Sequence, residues 1–199
     1  MRITTLKFKN GYFSVYADGE LLCTLSDETV VKQKLKVGMD ISGEKAEELI
    51  KISEYQSALR DGMRMLAAAA KSRADFVRRL VQKGHDGGAA RQAADFLEEK
   101  GFIDDEKFAE SYVNDAIKLK KEGKNKILFS LKKHGISDET ARRALEGKDC
   151  GSGLRELAEK EMRRSGDINK VKRRLYSKGY SIWEINSITD ELGGSDFEV

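Results

Sequence analysis

Apolar positions along this chain follow two regimes. The first 25 residues hold three short runs rich in β-branched and aromatic side chains: RITTLKFK at 2–9, YFSVYA at 12–17 and ELLCTL at 20–25. Asn10-Gly11 and Asp18-Gly19 separate them. Such pairs favour tight hairpin turns, because both central residues of a type I′ turn need positive φ. The pattern predicts a three-stranded antiparallel meander. Three short strands bury little by themselves, so another element must cover one face. Ser26-Asp27-Glu28-Thr29 reads as a helix start, followed by Val30, Val31 and Leu35 as a short apolar stripe. A second helix is expected from Ser42 or Gly43, with Ala46, Leu49, Ile50 and Tyr55 facing inward.

From about residue 58 the strand signals stop and an internal repeat appears. Leu80-Val81-Gln82-Lys83-Gly84-His85-Asp86, Leu131-Lys132-Lys133-His134-Gly135-Ile136-Ser137 and Leu175-Tyr176-Ser177-Lys178-Gly179-Tyr180-Ser181 share the form Leu-x-x-basic-Gly-x-Asp/Ser. The glycines are 51 and 44 residues apart. Phe76, Ile127 and Val171 lie four residues before each leucine and share its helix face. Each glycine fits a left-handed helix stop, and Asp86, Ser137 or Ser181 fits the N-cap of the next helix. Ser181 also has Glu184 at capping-box spacing. Ala90 and Ala93, Ala141 and Ala144, and Ile185 and Ile188 continue the apolar stripe.

A further helix precedes each copy. The first is expected at about 58–70, with Leu59, Met63, Leu66 and Ala70 inward. The second is expected at about 105–120, with Phe108, Tyr112, Val113 and Ala116. The third is expected at about 153–164, with Leu154, Leu157, Ala158 and Met162. The fold class is therefore mainly α: three tandem three-helix modules forming an elongated array, preceded by a small β meander with short helices. The divisions expected are 1–56, 57–103, 104–150 and 151–199, with an acidic tail starting near Gly193-Gly194-Ser195. Modules that touch mainly their sequence neighbours make an extended chain.

Composition narrows the setting. The 199 residues contain no proline, so nothing forces a backbone break. The longest apolar run, Met65 to Ala70, is far short of the ~20 residues needed to span a bilayer. Cys23 and Cys150 are the only cysteines and are too distant in sequence for the usual zinc spacing. They read as packed small residues, and a cytoplasmic location without membrane attachment is expected.

The formal net charge of +3 conceals an uneven distribution. Residues 1–70 are neutral, 71–116 carry −2, 117–148 carry +6, 151–180 carry +5 and 181–199 carry −5. The basic stretch attracts phosphates or an acidic protein surface. The residues expected to form it are Lys124, Lys126, Lys132, Lys133, Arg142, Arg143, Arg163, Arg164, Lys172, Arg173, Arg174 and Lys178. A solvated lysine-rich face is the plainer reading. Concentration of the charge in two adjacent modules favours a binding surface. Tyr176, Tyr180 and Trp183 could stack on bases, but core packing is the expectation for them.

Enzyme chemistry finds no support. His85 and His134 flank capping glycines without a nearby nucleophile. Asp104-Asp105-Glu106 suits a helix N-terminus better than a cation site. Gly84-His85-Asp86-Gly87-Gly88 lacks the Lys-Ser/Thr of a phosphate loop. No catalytic residue, cofactor or metal is expected. A helix-turn-helix transcription factor is a weaker reading, because the second helices are mostly apolar.

Residues 96–113, Phe96-Leu97-Glu98-Glu99-Lys100-Gly101-Phe102-Ile103-Asp104-Asp105-Glu106-Lys107-Phe108-Ala109-Glu110-Ser111-Tyr112-Val113, closely resemble the signature of the RecX family, bacterial regulators of the RecA recombinase. Ser72-Arg73-Ala74-Asp75-Phe76 with Arg79-Leu80 and Lys83-Gly84 match as well, as does Lys133-His134-Gly135-Ile136-Ser137. The hairpin Tyr16-Ala17-Asp18-Gly19-Glu20 looks like the extra domain of longer members, whereas Gly87-Gly88 departs from the family's pattern. The resemblance implies a protein that binds in the groove of the RecA–DNA filament, touches single- or double-stranded DNA, and lowers ATP hydrolysis and strand exchange; separately, a monomer is expected. It places the chain in homologous recombination, DNA repair and the SOS response. The alternative is a RecA-independent, sequence-nonspecific nucleic-acid-binding helical module.

Overall fold

Both predicted hairpins are present, with Asn10, Gly11, Asp18 and Gly19 all at positive φ. In the computed structural model, which describes residues 1–194, β1 (Ile3–Lys9), β2 (Tyr12–Ala17) and β3 (Glu20–Ser26) form one antiparallel sheet in the order β1-β2-β3. Ten helices follow among the described residues: α1 (Asp27–Lys32), α2 (Gly43–Ala68), α3 (Arg73–Gln82), α4 (Gly87–Glu99), α5 (Asp105–Lys118), α6 (Lys124–Lys133), α7 (Asp138–Leu145), α8 (Leu154–Ser165), α9 (Ile168–Ser177) and α10 (Ile182–Gly194). They fall into two compact units that meet in sequence at Ile103/Asp104.

The first unit contains two cores. Ile3, Val15, Cys23 and Leu25 from the sheet pack with Val30, Leu35, Ile41, Ala46 and Leu49. Ala58 packs with Phe76, Leu80, Ala90, Ala93, Leu97 and Ile103 in the second. Both cores draw on α2, which runs unbroken through 26 residues. Two helices were expected here, one from Ser42 or Gly43 and another from about 58, and the chain makes one. The segment Lys51-Ile52-Ser53-Glu54-Tyr55-Gln56-Ser57 has neither glycine nor proline, so nothing interrupts the backbone ladder. The expected division at 56/57 therefore falls inside a helix. Of the inward residues expected on its second half, Met63 is exposed and Ala70 lies beyond the helix end, while Ala58 and Gly62 are buried.

Helix α2 also satisfies an edge of the sheet. Ser53 Oγ donates to the Thr24 carbonyl at 2.8 Å and accepts from the Thr24 N–H at 3.1 Å. Gln56 Oε1 accepts from the Ser26 N–H at 2.9 Å. These side chains occupy backbone groups that an edge strand would otherwise present for pairing with another chain.

The three-copy repeat has a backbone explanation. Gly84, Gly135 and Gly179 have φ of 95°, 76° and 87°. The N–H after each glycine donates to the carbonyl of the repeat leucine: His85 to Leu80 at 3.1 Å, Ile136 to Leu131 at 3.0 Å and Tyr180 to Leu175 at 3.3 Å. This six-residue closure needs a left-handed residue, which glycine adopts without a Cβ penalty. The next helix is capped at once. Asp86 accepts from the Gly88 and Ala89 N–H groups, and Ser137 from that of Thr140. Ser181 and Glu184 form the reciprocal box, at 3.2 Å and 2.7 Å. Helix α4 starts at Gly87 despite the Gly87-Gly88 pair, because Asp86 supplies the cap.

The second unit also has two cores. One contains Ala109, Val113, Ala116, Ile127, Leu131, Ile136, Ala141, Ala144 and Leu145. The other contains Ala158, Val171, Leu175, Tyr180, Ile185, Ile188 and Leu192. Helix α10 continues through Gly193 and Gly194, where a tail was expected to begin. The expected tail residues from Ser195 onward lie outside the described residues.

Glycine does two different jobs in the repeat, and substitution separates them. A Cβ on Gly84 would meet nothing within 4 Å, whereas on Gly179 it would lie 2.4 Å from the Lys126 backbone nitrogen. Gly84→Ala should cost about 1–2 kcal/mol from the left-handed backbone alone. Gly179→Ala should cost clearly more, measured by urea unfolding followed by helical circular dichroism.

Candidate nucleic-acid interface

The basic residues are organised by an unusual helix start. Helix α6 has Gly123 as N-cap, no side-chain cap and no acidic residue in its first turn, where Lys124 and Lys126 sit instead. Lysines are unfavourable at this positive end of the helix dipole. The missing cap comes from the turn after α9. The Gly123 N–H donates to the Lys178 carbonyl at 2.8 Å, and the Asn125 N–H donates to the Gly179 carbonyl at 3.2 Å. The two glycine backbones are close enough that a Cβ on Gly123 would lie 2.6 Å from the Gly179 carbonyl carbon.

Lys121 completes this junction. Its φ is 52°, its ammonium pairs with Glu156 at 2.7 Å and its carbonyl accepts from the Tyr180 hydroxyl at 3.1 Å. Tyr180 is 1% exposed, and burial pushes its phenol up to about 12. Lys178 Nζ donates to the Lys120 carbonyl at 2.7 Å. Its pKa is held below the ordinary lysine value, first by burial and then by the charges of Arg174 and Lys126. Glu122 opposes that effect and pairs with Lys126 at 3.3 Å. Lys120, Lys126 and Arg174 thus lie near enough to Lys178 to disfavour its charge, with the buried Glu122 carboxylate acting against them. An arriving anion would relieve their mutual repulsion.

The remaining predicted residues form four other local groups. Lys124, Arg142 and Arg143 line a cleft of about 500 Å³ with Glu139 and Glu146. Lys172 and Arg173 line a second cleft of about 290 Å³ with Tyr176, Ile182, Ile185 and Asn186. Lys132 and Lys133 end α6, while Arg163 and Arg164 end α8, where the helix dipole favours cations. Some charge is neutralised locally: Arg143 pairs with Glu106 at 2.8 Å, and Arg164 pairs with Glu161. Among the described residues, Lys124, Lys132, Arg142, Arg163 and Arg174 have no carboxylate partner.

Two aromatics depart from expectation. Tyr180 packs in the core as anticipated, but Tyr176 and Trp183 are 67% and 78% exposed. Helix α10 turns Ile185 and Ile188 inward, which leaves Ile182 and Trp183 exposed; Ile182 lines the cleft with Lys172, Arg173 and Tyr176. Exposed rings beside cations suit unpaired bases. His134 packs against Phe108 and Tyr112, with ring centroids 5.3 Å apart in each case, and His85 contacts Asp61 at 3.2 Å. Asp104 caps α5 by accepting from the Lys107 N–H at 2.9 Å. Cys23 is buried, which pushes its thiol up to about 11, and Cys150 is half-buried; both are free. The described residues include no group of three metal-ligating side chains and no helix long and apolar enough to cross a membrane.

The family model described as "RecX, second three-helix domain" matches residues 104–145, the segment holding α5, α6 and α7. Regulatory protein RecX of Clostridium tetani is 30% identical over 195 residues, covering 92% of this chain and 89% of that protein. This chain belongs to the RecX family. A crystal structure of a regulatory protein RecX superimposes with a TM-score of 0.74 over 95% of this chain and 98% of the other, at 20% identity, and supports the fold alone. RecX from Lactobacillus salivarius gives a TM-score of 0.61 at 26% identity, over 70% of this chain and 97% of that one. The RecX relatives are regulatory proteins by name, which accords with a chain that acts by binding.

Two measurements probe this unit of the RecX-family chain. The neutral Tyr180 phenol contributes stability that is complete below pH 10 and is lost as pH rises towards about 12. Tyr180→Phe should remove that alkaline loss and cost about 1 kcal/mol at neutral pH for the broken hydrogen bond, read from unfolding curves between pH 7 and pH 11.5. Trp183 is the single tryptophan, so intrinsic fluorescence reports on its corner directly. Oligothymidylate should quench it in a salt-dependent manner, and Lys172→Glu with Arg173→Glu should weaken the response. An unchanged spectrum throughout the titration would remove this corner from the interface.

Proposed function

We propose that this chain regulates a RecA-type recombinase by binding its nucleoprotein filament, lowering ATP hydrolysis and strand exchange. The observation that carries the reading is the grouping of Lys120, Lys126 and Arg174 near Lys178, where Lys126 has the buried Glu122 as its ion-pair partner, within a unit of RecX-family fold. Such a cluster favours DNA phosphates through charge, and binding releases counterions. The Tyr176 and Trp183 rings add a surface for unpaired bases. Segment 86–115, rich in acidic residues, supplies opposite charge for a basic protein surface. Many modest contacts along a repeating filament reinforce one another through effective concentration. No base-reading set is assigned, so the mode is sequence-independent. The setting is the cytoplasm, with roles in homologous recombination, DNA repair and the SOS response, and the chain acts as a monomer.

The second reading is a nucleic-acid-binding module that works without RecA. The same cation cluster favours it, since phosphate attraction needs no protein partner.

One experiment separates them. Purified chain is added at stoichiometric amounts to RecA on single-stranded DNA, and ATP turnover is followed. The first reading expects turnover to fall; an unchanged rate counts against it. Charge reversal of Arg163, Arg164, Arg173 and Arg174 should weaken free-DNA binding and reduce its salt dependence by several units of slope. Retained inhibition in that variant assigns the main contact to protein. Loss of both in proportion assigns it to DNA.

A further inference from the structure

The first unit carries no net charge over residues 1–70, yet its fold separates that charge. The sheet has a core face and an outer face. Phe13, Val15 and Ala17 of β2 turn inward, so Tyr12, Ser14 and Tyr16 turn outward. The register places Lys9 beside Tyr12, Lys7 beside Ser14 and Thr24 on the other side of Ser14. Helix α2 runs along the β3 edge through Ser53 and Gln56, and two further turns bring Arg60 and Arg64 to the same border. Together Lys9, Asn10, Tyr12, Ser14, Thr24, Arg60 and Arg64 line a cleft of about 370 Å³ without a carboxylate among them.

Cations seat on both tyrosines of this floor. The Arg60 guanidinium lies 4.7 Å from the Tyr12 ring centroid and the Lys7 ammonium 4.9 Å from that of Tyr16. Arg60 has a hydrogen bond to Ser57 Oγ at 3.4 Å. Arg64 has a surface pair with Asp61 at 3.4 Å and remains 73% exposed in its side chain, so the pair leaves it available.

We infer that this outer sheet face, bordered by the second half of α2, is a separate binding site for a single-stranded nucleic acid. Three features point to a strand and not to a free phosphate. The cations are spread along two borders and do not converge on one point. The floor is a row of hydroxyls and rings, which offers hydrogen bonds and stacking to sugar and base along its length. Arg60, held over Tyr12, provides a plane on which an unpaired base can continue the stack. A duplex hides its base faces and gains only the phosphate contacts. The site lies in a different unit from the cations of the proposed recombinase interface and stands independently of that reading.

The test uses the intact chain, labelled with ¹⁵N and titrated with oligothymidylate and, separately, with a duplex of equal length. Amide resonances of residues 9–14, Thr24 and 60–64 should move with the single strand and much less with the duplex. Lys9→Glu combined with Arg64→Glu changes two exposed side chains and should preserve the dispersed spectrum. It should abolish those shifts and lower the salt slope of binding by about 1 to 2. The inference is overturned if saturating oligothymidylate moves only resonances after Asp104, or if the duplex moves the first unit as strongly. Each unit reports through its own resonances. Failure here therefore leaves recombinase regulation standing, and loss of regulation leaves this map readable.

Discussion

The second unit depends on a loan of two backbone carbonyls. Helix α6 begins with glycine and lysines, residues that neither cap a helix nor suit its dipole. It would fray if left to itself. The carbonyls of Lys178 and Gly179, freed by the end of α9, accept the Gly123 and Asn125 N–H groups. One helix end thus satisfies another helix start, and both glycines are needed because the backbones approach too closely for a Cβ. Lys121 and Tyr180 then fix the same joint from a second direction. The lysines tolerated there, Lys124 and Lys126, belong to the basic stretch between 117 and 180. The structural joint and the electrostatic site share the same atoms.

Much of this architecture is legible in the residues. Asn10-Gly11 and Asp18-Gly19 announce the meander because positive φ has few other sources. The recurring Leu-x-x-basic-Gly-x-Asp/Ser announces three helix turns because each position has a single stereochemical task. The buried pairs Phe76/Leu80, Ile127/Leu131 and Val171/Leu175 follow from helical spacing. What does not follow is anything set by packing at a distance. Nothing local distinguishes Gly179, which carries a neighbouring helix on its carbonyl, from Gly84, which faces open space. Nor does local sequence reveal that α2 persists past residue 57, since the absence of a breaker permits a helix without requiring one.

The site shows the same division. Clustering of lysine and arginine between 117 and 180 is visible as arithmetic. Their arrangement into local groups, with Lys120, Lys126 and Arg174 near Lys178, is a product of the fold. Tyr176 and Trp183 looked like core residues because aromatics at helical spacing usually are; the inward turn of Ile185 and Ile188 puts them outside. The first unit was hidden in the opposite way. Charges over residues 1–70 cancel along the chain, and only strand alternation brings Lys7 and Lys9 to one face while α2 delivers Arg60 and Arg64 to its border.

The unbroken α2 has one more effect. Most joins between neighbouring cores are loops, and loops absorb gained or lost residues. Here the join is a rigid screw. Adding a single residue between Ile52 and Ala58 would rotate everything beyond it by about 100°, turning Ala58 and its core together away from the core that holds Leu49. The spacing between sheet and helical bundle is therefore a quantised length, open to drift in sequence but closed to drift in number.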